Sequence, residues 1–203
     1  MLRIALTLLS GTGYGGTTYF RNLLPTLAAM DDRNEYHCFV PERHSLIAAL
    51  QVPNVHFHEV VRESTSAFER FRYEQLVLPR ELRHRRMDLL YSAKNIAVFQ
   101  APCSQVIAIR NMEPFRYREF ENAWTLDVQS RMKWEFTRRS IARADAIIAV
   151  SQAVRDAIVE RFSSAAGKIS VIYNGNSVHL NAERRTQNAE PPFFLTASKF
   201  GAY

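Results

Sequence analysis

Only two cysteines occur in 203 residues, Cys38 and Cys103. They fall in different predicted elements, one inside a strand and one just before a strand. That placement argues against a disulfide framework and offers no close metal-ligand spacing. Buried free thiols in a reducing cytosol are the expected state. No apolar run approaches the roughly 20 residues needed to cross a bilayer. The short apolar stretch at 1–9 runs straight into a glycine-rich turn without a small-residue cleavage site, so it reads as a first buried strand rather than a leader. No Walker loop, no Ser-His-Asp order, no internal repeat and no low-complexity tract is found. What remains, 47% apolar and 23% charged, is an ordinary globular composition.

Charge is the first positive signal. The net charge is +6 and the pI near 9.6, with basic residues concentrated at 70–86 and 131–143. Anionic partners are favoured in a general way. Nucleic acid is not expected, because no binding module or stacking-aromatic signature accompanies the charge. Solvated helix faces, an anionic membrane surface and a phosphate-bearing substrate remain as readings.

Apolar periodicity gives an alternation of strands and helices. Strands are expected at 3–9, 36–40, 55–61, 88–91, 106–109, 146–150 and 169–173. A helix follows Thr17 with Phe20, Leu23, Leu24, Leu27 and Ala28 on one stripe, and Pro25 inside it should kink it. A short helix is expected near 45–50. Phe68, Phe71, Leu78 and Leu82 mark helical spacing that Pro79 divides in two. A long helix at 122–143 carries Trp124, Val128, Met132 and Phe136 at steps of four. This order predicts an α/β, Rossmann-like, doubly wound parallel sheet with helices on both faces. The expected domain is 1–176, followed by a polar linker at 177–192. A new apolar strand in 193–203 is expected to open a second domain that the chain barely enters.

Gly11-Thr-Gly-Tyr-Gly-Gly16 sits after a strand and before a helix and satisfies G-x-G-x-x-G. Such glycines let backbone donors at a helix N-terminus approach a phosphate. A dinucleotide site, and with it an NAD(P)-dependent oxidoreductase, is one reading. It requires an acidic residue after the second strand, for which Glu42 is the nearby candidate. His56-x-His58 places two imidazoles on one strand face, more simply exposed strand histidines than ligands, since no further metal ligands accompany them.

The most specific block is 143–175. Arg143-Ala-Asp145 precedes an apolar strand, Ser151 stands at a helix N-cap, and Ile172-Tyr-Asn-Gly175 closes the next strand. In this order the block resembles the end of the N-terminal domain of family 4 glycosyltransferases, enzymes of the two-domain type-B (GT-B) fold. Ser92-Ala-Lys-Asn95 resembles that family's Ser-Pro-x-Asn loop. Arg110-Asn111, ahead of Pro114-Phe115, resembles its strand ending His-Asp or His-Asn, with Arg110 in place of the histidine. An arginine cannot act as a general base, but it binds phosphate or carboxylate in a fork.

The resemblance implies transfer of a sugar from a nucleotide-sugar donor to a carbohydrate or lipid-linked acceptor, with retention and with neither cofactor nor metal. It implies Gly15, Gly16 and Thr17 at the cleft floor, and Asn95, Arg110 and Asn111 in the substrate region, Arg110 being the candidate catalytic position. Ser151 and Asn174 are implied at the same sheet edge. The donor would be gripped mainly by the second domain, so the isolated chain would be inactive. A nonenzymatic sugar-binding remnant is the alternative. The implied place is the cytoplasm, or the inner membrane face through peripheral contact with anionic lipid.

Overall fold

The computed structural model describes residues 1–9, 14–115 and 124–175, without the side chains of 14 and 124–127. The expected linker and second domain, and Gly11 and Gly13, lie outside the described residues. Strands β1 (Arg3–Thr7), β2 (Glu35–Pro41), β3 (Val55–Val61), β4 (Leu89–Ser92), β5 (Ser104–Ile109), β6 (Ala146–Ala149) and β7 (Ile169–Val171) form one sheet. Its order is β3-β2-β1-β4-β5-β6-β7, and every neighbouring pair is parallel. The helices are α1 (Tyr14–Met30), α2 (Ser45–Ala49), α3 (Ala67–Arg72), α4 (Leu78–His84), α5 (Trp124–Arg143) and α6 (Gln152–Arg161).

Alternation along the strands divides the core between the two faces. Leu6, Tyr91 and Ala108 turn to one face and pack with Phe20, Leu24 and Leu46 of α1 and α2. Ala5, Phe39 and Leu90 turn to the other, against Leu78 and Leu82 of α4. Ile107, Ile109 and Ile147 continue that second face against Ile141 of α5 and Val154 and Ile158 of α6. Both faces are therefore covered, which is why the strands read as apolar runs rather than alternating ones. Each fully buried Leu or Ile contributes about 1.5–3 kcal/mol relative to exposure.

The chain reverses its direction of travel across the sheet at β1 and β4, which are neighbours. From β1 it moves outward through α1 to β2, and from β4 it moves the other way to β5. The carboxyl ends of this pair form a switch point, where open α/β sheets leave a crevice.

Several elements differ from the sequence expectation. α1 continues through Pro25. α3 and α4 are separated by a π-helical turn, Tyr73–Val77, and Pro79 sits in the first turn of α4, where its missing N–H costs nothing. On α5 the stripe at steps of four meets the core only at its end: Val128 is 49% and Met132 54% exposed, whereas Phe136 is half-buried against the rings of Phe71 and Phe99. Residues four apart differ by about 40° around a helix of 3.6 residues per turn, so such a stripe winds around the helix and cannot keep one face to the sheet. The buried face runs instead through Thr137, Ser140 and Ile141. His56 is exposed, but His58 is half-buried and stacks on His37 of β2 with ring centroids 5.2 Å apart. The Nδ1 of His37 lies 2.9 Å from the Nε2 of His58, and burial pushes the His58 imidazole down to about 4. These rings pack as neutral partners, and no metal-binding group exists among the described residues. Both thiols are free, Cys38 buried in β2 and Cys103 half-buried just before β5.

Candidate functional site

The crevice at the switch point is an open cleft of about 580 Å³. Thr7 and Leu8 at the end of β1 form part of its floor, and Gly15, Gly16, Thr17 and Phe20 of α1 form one wall. The ends of β4 and β5 bring Lys94, Asn95, Arg110 and Asn111. Glu113 and Pro114 follow, Lys133 and Thr137 come from α5, and Asn174 comes from beyond β7. Seven of the eight residues singled out from the sequence thus share one cavity. Ser151 is not among the lining residues. Its hydroxyl accepts from the backbone N–H of Val154 at 3.2 Å and caps α6, which is the local role its sequence position predicts.

Gly15 lies in the first turn of α1, yet a Cβ added there would meet nothing within 4 Å. Neither packing nor a positive φ requires glycine at that position. Glycine in a helix costs roughly 0.5–1 kcal/mol relative to alanine, so what it provides is open backbone toward the cleft. The dinucleotide reading finds less support at the end of β2. Glu42 is exposed and does not line the cleft, where His44 stands instead. His44 caps α2 by accepting from the Leu46 N–H through Nδ1 at 3.3 Å, and burial lowers its pKa.

Asn95 is 8% exposed and joins two strand ends. Its Oδ1 accepts from the backbone N–H of Arg110 at 3.1 Å and of Asn111 at 3.3 Å. Its Nδ2 donates to the carbonyl of Asn111 at 2.5 Å. The backbone that presents Arg110 is therefore fixed by one carboxamide. The Arg110 guanidinium carbon lies 4.1 Å from the centroid of the Tyr19 ring, and Tyr19 is bonded through its hydroxyl to Tyr91 at 2.7 Å. A cation over an aromatic face gains about 0.5–2 kcal/mol and keeps its edge for another partner. No carboxylate among the described residues pairs with Arg110. Asn111 closes a small turn, accepting from the Glu113 N–H at 2.9 Å. Lys133 bonds Glu113 at 2.5 Å.

Sequence reasoning missed the polar floor beside these residues. Glu74, fully buried, projects from the π turn. It accepts from the Thr7 hydroxyl at 3.1 Å and pairs with the Lys94 ammonium. Desolvation pulls the Lys94 amine below the usual lysine range, and Glu74 opposes that pull. The signal was present, since Glu74 falls on the helical stripe between Phe71 and Leu78, where a carboxylate has no place unless paired.

A seven-stranded parallel sheet whose switch-point cleft faces outward defines a Rossmann-like half of a GT-B protein. The family model described as Glycosyltransferase Family 4 matches residues 14–178. The chain belongs to that family. The fold resembles a UGT transferase from Siraitia grosvenorii solved with UDP, at TM-score 0.61 and 9% identity, covering 92% of this chain and 54% of that one. It also resembles the UDP-GlcNAc 2-epimerase of Neisseria meningitidis bound to UDP-GlcNAc, at TM-score 0.55 and 9% identity, covering 84% and 45%. A lipopolysaccharide outer core galactosyltransferase, WaaB, matches at TM-score 0.52 and 16% identity, covering 88% and 47%. The chain spans about half the length of these structures. No curated protein sequence is significantly similar to it.

The Asn95 clamp generates a stability contrast. Asn95→Ala leaves two N–H donors and one carbonyl without their partner and should cost about 1–3 kcal/mol. Asn174→Ala removes an exposed side chain and should stay within about 0.5 kcal/mol. Urea unfolding of both variants checks this, and equal midpoints would remove Asn95 from its clamping role.

Proposed function

We propose that this chain forms the acceptor-side half of an enzyme that moves a sugar from a nucleotide-sugar donor to a carbohydrate or lipid-linked acceptor, with retention. The observation that carries the reading is the convergence of an open glycine backbone at the α1 N-terminus and the Arg110 guanidinium on one cleft. Helix N-terminal donors and a guanidinium fork both suit a diphosphate. In the transfer, the bond from the anomeric carbon to the departing phosphate oxygen breaks and a bond to the acceptor oxygen forms on the same face. The acceptor's proton passes to the departing phosphate, so no base from this half is required. That accommodates Arg110, which cannot serve as one. The cleft between the two domains, with a second domain gripping nucleotide and sugar, supplies the positioning that makes such a transfer fast.

An anionic membrane contact is part of the same proposal, and the pattern of ion pairs supports one place for it. On α5, Arg138 and Arg139 are both committed to Glu135, and Lys133 is committed to Glu113. Arg80, Arg83 and Arg86 of the α4 region are exposed, beside the exposed Leu76 and Val77 of the π turn. No described helix is long and apolar enough to cross a membrane. Contact would therefore be made by α4 lying on the surface.

Two measurements follow. Gly15→Ala should leave the fold as stable or up to about 1 kcal/mol more stable, while transfer from nucleotide sugars falls at least tenfold because the new methyl occupies backbone space in the cleft. Unchanged transfer would remove the glycine from the site. The triple variant Arg80→Gln, Arg83→Gln, Arg86→Gln should lose sedimentation with phosphatidylserine vesicles at low salt. Sedimentation equal to that of the unmodified protein would place the basic face in solvent only.

A further inference from the structure

The cleft has two walls of different electrical character. Along α1 and the end of β5 stand helix N-terminal backbone and the Arg110 guanidinium, a side with a net positive field. Across the sheet, beneath the π turn and α5, lies the Glu74–Lys94 pair, whose two charges cancel. Thr7 joins it by donating to Glu74. Thr137 of α5 borders the same space. It is 1% exposed, and its hydroxyl has no hydrogen-bond partner.

This second wall is built to hold one shape. The π turn contributes Gln75 as well as Glu74. Gln75 donates to the Ala97 carbonyl at 2.9 Å and accepts from the Phe99 N–H at 3.1 Å. Ser140 of α5 accepts from the Ala97 N–H at 2.8 Å. Gln105 accepts from the Val98 N–H at 2.7 Å. With Asn95 tied to β5, the loop from Lys94 to Phe99 is fastened on both sides. A π turn inserts one residue into a helix and often accompanies function. Here it carries Glu74, fully buried, at the floor of the cleft. A buried ion pair stabilises a fold weakly or not at all compared with apolar packing. Stability alone does not account for this arrangement at the rim of a cavity.

We infer that Glu74, Lys94 and Thr137 form a charge-neutral subsite for the hydroxyl groups of an uncharged sugar, the acceptor in the reaction proposed above. Lys94 can donate to a sugar oxygen while Glu74 compensates its charge. Thr137 lines the cleft with its hydroxyl unpartnered, and that hydroxyl can donate to or accept from a second sugar hydroxyl. The subsite discriminates against phosphate, because Glu74 cancels the field that an anion would need. The anionic portion of any bound substrate is left to Arg110 and the α1 terminus. The inference rests on the glycosyltransferase reading but concerns which wall holds the neutral group.

The test uses residues 1–203 labelled with ¹⁵N and titrated with methyl α-glucoside, α-galactoside, α-mannoside and N-acetylglucosaminide, and separately with inorganic pyrophosphate. At least one glycoside should give saturable shifts in the amides of 92–99 and 137–140. Pyrophosphate should shift the amides around 15–19 and 110–111 instead. Lys94→Met should weaken the glycoside about tenfold, the loss expected for one hydrogen-bonding group, and leave pyrophosphate unchanged. Arg110→Ala should do the reverse. Thr137→Val guards against a folding artefact. Removing an unpartnered hydroxyl should hold or raise Tm by about 2–4 °C, while the glycoside still weakens. A merely structural Thr137 would leave glycoside binding untouched. The inference is overturned if no glycoside shifts these amides, if pyrophosphate shifts them, or if Lys94→Met and Thr137→Val leave the glycoside affinity unchanged. Transfer activity of the protein that includes the second domain separates the two readings. If nucleotide-sugar transfer persists with an unaltered acceptor KM in Lys94→Met, the subsite fails and the enzyme reading stands.

Discussion

The Asn95 carboxamide holds the site together. One buried side chain bonds three backbone groups of the next strand end, so the loop after β4 and the loop after β5 move as one piece. Arg110 owes its position to that bond on one side and to the Tyr19 ring on the other. Lys94, one residue before the clamp, pairs with Glu74 from the same fastened loop. A cleft whose functional groups come from five or more separate elements would be imprecise if each loop moved independently, and misplacement by 1 Å is costly in catalysis.

The sheet sets where this clamp can act. With β1 and β4 adjacent, α1 leaves β1 toward one face while the chain after β4 runs as a loop to β5, and the space between their carboxyl ends stays open. The α1 face supplies glycine backbone and aromatic rings, and the opposite face supplies the π turn and α5. The asymmetry of the cleft therefore follows from strand order, since each wall belongs to a different layer. Membership of glycosyltransferase family 4 agrees with a fold that places its chemistry at this edge.

Much of this was readable from residues. Continuous apolar runs at Ala146–Ala149 and 106–109 announce strands covered on both faces, and Ser151 announces the start of α6. The loop residues Asn95 and Arg110 were legible because they follow buried strands directly. The polar floor was not, for reasons that lie in periodicity. Glu74 lies on the inward stripe of the 68–82 run, but a pattern read from apolar residues passes over a carboxylate there. On α5, Trp134, Thr137, Ser140 and Ile141 form the inner face, but two of these are polar. The eye follows the apolar residues Val128 and Met132 instead, which are exposed. Polar residues occupy core-facing positions where they serve the loop and the cleft, and a hydrophobic pattern cannot register them.

The central claim is that the switch-point cleft works as one half of a sugar-transfer site with Arg110 at its cationic, anion-binding wall. The most direct measurement is nucleotide-sugar transfer by a protein in which these residues are joined to a nucleotide-sugar-binding second domain, with Arg110→Ala alongside and the product's anomeric configuration read by NMR. The account predicts a retained configuration and a kcat/KM at least tenfold lower in the variant, with Tm unchanged. Transfer with inversion, or equal kcat/KM in the two proteins, would contradict it.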